Sequence, residues 1–145
     1  MDGMTDDALH DIIAGGKLCV IATIRKDGRP QLSQVTYAYD RGRDMVRVSV
    51  TDSRAKTANL RRDPRGTLLV QGPGGWAYAA AEFRAEVLPV TTDPHDASAD
   101  ELVDIYRSVA GEHPDWEEFR EAMVTERRLP LHLHLDKVLG MAGRH

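Results

Sequence analysis

The chain has 145 residues, 41% of them hydrophobic and 29% charged, and a formal net charge of −4. That length supports one domain over 1–145 with a core that needs no staples. The acidic balance argues against a nucleic-acid partner, which wants a broad basic face. The single cysteine, Cys19, lies in the apolar run LCVIA. It reads as a buried, inert thiol, and a lone cysteine fits a reducing cytoplasm. The acidic N-terminus MDGMTDDALHDI lacks the basic and apolar regions of a signal peptide. No apolar run approaches the ~18 residues of a membrane span.

In chain order, residues 5–14 read as a helix capped by Thr5 or Asp6, with Leu9, Ile12 and Ile13 on one face. Gly15-Gly16 ends it. Residues 17–24 form a buried strand. KDGR at 26–29 is a hairpin turn in which Asp27-Gly28 suits the positive φ of type I′, and the return strand covers 31–39. A turn at 40–44 leads into a strand at 45–51. There Val46, Val48 and Val50 face one side and Arg47, Ser49 and Thr51 the other. Asp52 or Ser53 caps a short helix over 54–62 that Pro64 stops. Strands follow at 67–71 and 76–90, then helices at 98–109 and 115–126. In the closing LPLHLHLDKVLGM, Leu129, Leu131, Leu133 and Leu135 alternate with Pro130, His132, His134 and Asp136, a half-buried strand. Tight hairpins make neighbours antiparallel, and six or so such strands point to a barrel with peripheral helices, mainly β within the α+β class. The absence of βαβ alternation and of G-x-G-x-x-G argues against a Rossmann site.

The stretch SRAKTANLRRDPR at 53–65 gathers five basic side chains and one acid in an acidic chain. Arg54 and Lys56 fall in the first turn of the short helix, where cations repel the helix dipole. A phosphate reverses that sign. Free backbone N–H groups, Ser53, Thr57, Arg54 and Lys56 can then meet one dianion. A solvated basic turn is the competing reading. Arg61, Arg62 and Arg65 lie toward the helix C-terminus, where cations are favourable for structural reasons alone.

In QLSQ, residues 31–34, polar groups fall on both faces of a strand. Gln31, Ser33 and Gln34 can read the edge of a heterocycle, or sit on a solvated edge strand. Trp76 and Tyr78 share a face and either stack on a ring or fill a core or interface. Arg127 and Arg128 either join an anionic site or simply end a helix. His132 and His134 share a strand face, but no further ligands appear at a recognisable spacing, so no metal site is expected. No nucleophile or paired-carboxylate motif is present, and no catalytic residue can be named. A redox cofactor carrying the chemistry suits such a chain.

LCVIATIRKDGRPQLSQV (18–35), SRAKTANLRRDPR (53–65), GWAYAAAEFRAEV (75–87) and GEHPDWEEFREAMVTERR (111–128) carry a resemblance across nearly the whole chain. The sequence resembles the flavin- and deazaflavin-binding split β-barrels of the pyridoxamine 5′-phosphate oxidase superfamily. It is most similar to the actinobacterial branch that uses the deazaflavin coenzyme F420. The resemblance implies a cytoplasmic homodimer with two cofactor sites at the subunit interface. It implies that Arg54, Lys56 and Thr57 hold the cofactor phosphate. It places Gln31, Ser33, Gln34 and Ser49 near the ring and ribityl chain, and Trp76 and Tyr78 along the site from the other subunit. Arg127 or Arg128 would meet the acidic oligoglutamate tail of coenzyme F420. The activity implied is hydride transfer from reduced deazaflavin to an electron-poor small molecule. A flavin mononucleotide-dependent oxidoreductase and a non-catalytic cofactor carrier are the alternatives. The tail LDKVLGMAGRH does not match the arginine-containing segment that holds substrate phosphate in pyridoxamine 5′-phosphate oxidases, which argues against that particular activity.

Overall fold

The structure is a computed structural model that describes residues 3–142, with side chains from Asp6 onward. Its elements are α1 (Gly3–Gly15), β1 (Leu18–Ile24), β2 (Pro30–Thr36), β3 (Ala38–Asp40), β4 (Met45–Thr51), α2 (Ala55–Arg62), β5 (Arg65–Gln71), β6 (Tyr78–Val87), α3 (Ala97–Ala110), α4 (Trp116–Thr125) and β7 (Arg128–Met141). Seven strands form one sheet in the order β2-β1-β5-β6-β7-β4-β3. Every pairing is antiparallel. The sheet curls until edge strand β2 approaches β4 without pairing to it. This is a split barrel. Among the described residues, no helix is long and apolar enough to cross a membrane.

The inside of the curl is closed by branched and aromatic side chains. Ile21, Val46, Val48, Leu68, Phe83, Leu131 and Leu133 are buried there, with Leu9 and Ile13 of α1 plugging one opening. Burial pushes the Cys19 thiol up to about 12, so it stays protonated and inert. Strand alternation in β4 and in the first half of β7 follows the leucine and valine pattern of the sequence.

Four local expectations need correction. Helix α1 starts at Gly3, so Thr5 and Asp6 lie inside it rather than at its cap. The first hairpin is a three-residue loop. Gly28 N–H donates to Arg25 O and Arg25 N–H to Arg29 O, and Gly28 alone has positive φ, so the turn is type I with a left-handed glycine rather than type I′. The return strand breaks at Tyr37, whose backbone N–H donates to Lys17 O. Its ring is buried and its hydroxyl donates to Ile13 O at 2.6 Å. Anchoring that ring under α1 lets the chain leave β1 and cross to β4. Finally, β6 begins at Tyr78. A 3-10 turn at Pro73–Gly75, with positive φ at Gly74 and Gly75, leaves Trp76 in a loop.

The outer face of the sheet is divided. Helices α3 and α4 cover the β4–β7 side, enclosing a second small core of Leu102, Val103, Ile105, Phe119 and Met123. The remainder is open. By register, Leu18, Leu32, Leu69, Tyr78, Leu139 and Met141 all project from one face of β2-β1-β5-β6-β7, and all are exposed.

Candidate functional site

Helix α2 is the hinge of the site. Its anchor is apolar and local: Leu60 and Thr57 are buried against the barrel. Asn59, 6% exposed, donates to Thr23 Oγ1 at 3.1 Å and to Gln31 Oε1 at 3.3 Å. The N-cap is Arg54, with no side-chain cap. Neither Asp52 nor Ser53 takes that role, contrary to the sequence expectation. Asp52 instead binds Arg61 at 2.7 Å and Arg127 at 3.2 Å. Those two hydrogen bonds, Arg61 first, hold its carboxyl below the usual range. Among the described residues, the first turn of α2 therefore has no side chain capping its backbone N–H groups.

The basic side chains of the stretch separate into two groups. Arg61 is tied to Asp52, Arg62 to Ile24 O and Asn59 Oδ1, and Arg65 to Asp63. The Arg65 bond brings the Asp63 carboxyl down to about 2. Arg54 and Lys56, by contrast, have no carboxylate or other side-chain acceptor among the described residues. Burial first, and then the charges of Arg54 and Arg128, push the Lys56 ammonium below its ordinary value. The charges of Arg54 and Arg128 thus bear on the half-buried Lys56 ammonium, an arrangement that a bound anion would relieve.

Arg128 reaches this point from the start of β7, donating to Glu126 and, at 3.3 Å, to Ser49 Oγ. Arg127, next in the chain but at φ 53°, turns away to Asp52. Ser49 and Arg128 also line a cleft of about 410 Å³ beneath α3 and α4, whose other walls include Thr36, Leu102, Tyr106 and Phe119. An apolar cleft with a cationic rim suits a flat ring or an apolar small molecule carried on an anionic chain.

The other expected residues divide by position. Thr57 lies beside the cluster, but it is fully buried and its hydroxyl donates to Thr51 O at 2.9 Å, closing the turn. Gln31 and Ser33 face inward, Gln31 toward α2. Gln34 faces outward, beside Leu18, Leu69 and Gln71. Trp76 and Tyr78 sit at the other end of the sheet. Tyr78 pairs with Met141, thirteen residues along β7 from Arg128, about 40 Å at strand spacing. One chain does not bring these aromatics to the cations. Asn59 was not singled out from the sequence, although a polar residue on the buried side of an amphipathic helix was there to be read. The histidine pair has a third neighbour that no linear spacing shows: Glu86, across the strand pair, places a carboxylate beside His132 and His134.

A protein-family model described as pyridoxamine 5′-phosphate oxidase matches residues 5–137. Among solved structures, a conserved hypothetical protein from Mycobacterium tuberculosis, Rv2991, superposes with a TM-score of 0.73 at 19% identity, over 97% of this chain and 85% of that one. A protein named as an F420 reductase matches with a TM-score of 0.61 at 23% identity, over 90% of this chain and 94% of its own. An FAD-binding protein from Mesorhizobium loti matches with a TM-score of 0.66 at 16% identity, over 97% of this chain and 92% of its own.

Proposed function

The chain belongs to the pyridoxamine 5′-phosphate oxidase family, and from that premise we propose that it is an oxidoreductase using the deazaflavin coenzyme F420 to reduce an electron-poor small molecule. The observation that carries this reading is the uncapped start of α2, where Arg54 and Lys56 lack side-chain acceptors among the described residues and the Arg128 charge bears on Lys56. The residues present fit a phosphate-bearing cofactor. Arg54, Lys56 and Arg128 would hold the phosphate, together with the α2 backbone N–H groups. Ser49 accepts a hydrogen bond from Arg128, Gln31 is held to α2 through Asn59, and the cleft under α3 and α4 offers an apolar wall. When bound, the reduced cofactor supplies a hydride. The protein supplies a fixed anion anchor, a water-poor wall and an open face for the acceptor. The basic stretch at 53–65 and the F420 reductase among the structural relatives favour the deazaflavin. Flavin mononucleotide is the second reading, because its phosphate would suit the same cations.

The reading includes a homodimer. Six exposed apolar side chains on one sheet face are more than a lone surface normally carries in one patch. Tyr78 lies in that patch and Trp76 beside it, so a second copy docking there is what would carry these aromatics toward the neighbouring chain's cleft. In sedimentation equilibrium the wild type should behave as a dimer and Leu69→Glu as a folded monomer. A monomeric wild type would remove the dimer from the account.

The activity is tested by following oxidation of reduced coenzyme F420 with an activated alkene, a quinone and a nitro compound. Steady turnover with at least one, sharply lowered in Lys56→Ala, is expected. Tight binding with no turnover of any acceptor class would instead make the protein a carrier.

A further inference from the structure

We propose that Glu86, His132 and His134 form a zinc site on the outer face of β6 and β7, separate from the cationic cleft. The three residues come from two adjacent, directly paired strands: Glu86 lies opposite His132, and His134 is two residues further along the same face. Their ligand atoms lie within 4.8 Å of one another. Glu86 Oε1 is 3.1 Å from His134 Nε2 and 3.6 Å from His132 Nδ1. Nitrogen and oxygen ligands at 2.0–2.1 Å around a tetrahedral zinc stand about 3.3 Å apart. Two of the three separations are therefore near that spacing already, the third lies within 4.8 Å, and strands hold the cluster without a loop having to order.

The surroundings are also those of a zinc ligand rather than of a surface ion pair. His132 Nε2 is hydrogen-bonded to Glu101 on α3. A proton on Nε2, donated to Glu101, would leave the Nδ1 lone pair facing Glu86, the carboxylate–histidine arrangement that orients metal-binding imidazoles. Glu101 is in turn held by Arg47 at 3.6 Å. Arg84, opposite His134, is exposed and makes no ion pair with the cluster among the described residues. His132 is largely covered, whereas Glu86 and His134 reach solvent. A cation can thus enter from outside, and three protein ligands leave a fourth position for water. The imidazole pair favours zinc over magnesium or calcium, which want oxygen ligands.

The test is calorimetric titration of the chelator-treated full chain with zinc chloride, repeated with cobalt(II) for its tetrahedral absorption bands. One equivalent should bind with a tetrahedral cobalt spectrum, and excess magnesium should not displace it. Glu86→Gln and His134→Ala alter exposed groups, so both should fold, and each should lower zinc affinity at least about tenfold. Glu101 is a positioning residue. Glu101→Gln should weaken zinc by about 10–100-fold, Glu101→Asp should restore part of it, and the metal-free melting midpoint should stay put. His95→Ala, at the exposed His95–Glu117 pair, should change nothing. Absence of stoichiometric zinc binding, or wild-type affinity in either Glu86→Gln or His134→Ala, would overturn the proposal.

Discussion

The two ends of α2 are built from the same residue types and arrive at opposite electrostatics. At the C-terminal end, Arg61 and Arg65 each meet a carboxylate, Arg62 meets a carbonyl and Asn59, and the last turn is a place where positive charge is welcome. At the N-terminal end, Arg54 and Lys56 meet no side-chain acceptor among the described residues, face a dipole of their own sign, and feel the charge of Arg128. Eight helical residues separate a self-neutralised surface from one that stays electrostatically unfavourable until an anion arrives. A cluster kept that way is better explained by a ligand than by stability, because the folded chain gains nothing from it alone.

Removing the anchor both ends share should have the largest effect. Leu60 is 2% exposed, and Leu60→Ala should cost about 2–5 kcal/mol of stability in denaturant unfolding and abolish the site with it. Next, Lys56→Ala should cut affinity for a phosphate-bearing cofactor about 10–100-fold, the worth of a charge-assisted bond, while the empty protein melts no lower than wild type. Asn59→Ala strands the Thr23 hydroxyl and the Gln31 amide. It should cost about 1–3 kcal/mol by the same unfolding assay, with a smaller loss of binding than Lys56→Ala.

Both ends should gain stability as pH rises through their own windows, but for opposite reasons: at Lys56 a penalty lifts, at Asp63 a favourable pairing forms. The depressed folded value of Lys56 means that the unfolded chain holds more protons between that value and 10.5. Its contribution to stability therefore rises as pH climbs through the window. The empty wild type should gain on Lys56→Met there, and bound anion should erase the gain. Asp63, brought to about 2 by Arg65, contributes stability that is full above the unfolded value of 3.8 and drains away as pH falls toward 2. Thermal melts across both ranges check this. The smallest effect belongs to Arg61→Ala, which should leave cofactor affinity within about a factor of two. A loss as large as that of Lys56→Ala would erase the distinction between the two ends.

Much of this was legible locally. The valine alternation of β4 and the proline after α2 are short-range signals, and the elements follow them. The basic turn was legible as a charge anomaly. Which cations remain without partners was not, because it depends on Asp52 gathering both Arg61 and Arg127, the latter 75 residues away. Tyr37 shows the same limit: QLSQVTYAY reads as one strand, and only the packing of its ring under α1 breaks it. The opposed faces of Gln31 and Gln34 follow from strand alternation, but which face is inside follows from the sheet's curl. Glu86 was invisible beside the histidines because cross-strand register, not spacing, unites them.

The central claim is that the free end of α2 holds a phosphate-bearing redox cofactor. The most direct measurement is parallel equilibrium titration of the purified protein with coenzyme F420 and flavin mononucleotide, for wild type, Lys56→Ala and Arg61→Ala. The account predicts tighter binding of the deazaflavin, weakened at least about tenfold by Lys56→Ala and unchanged by Arg61→Ala. Binding of neither cofactor, or equal affinity in wild type and Lys56→Ala, would contradict it.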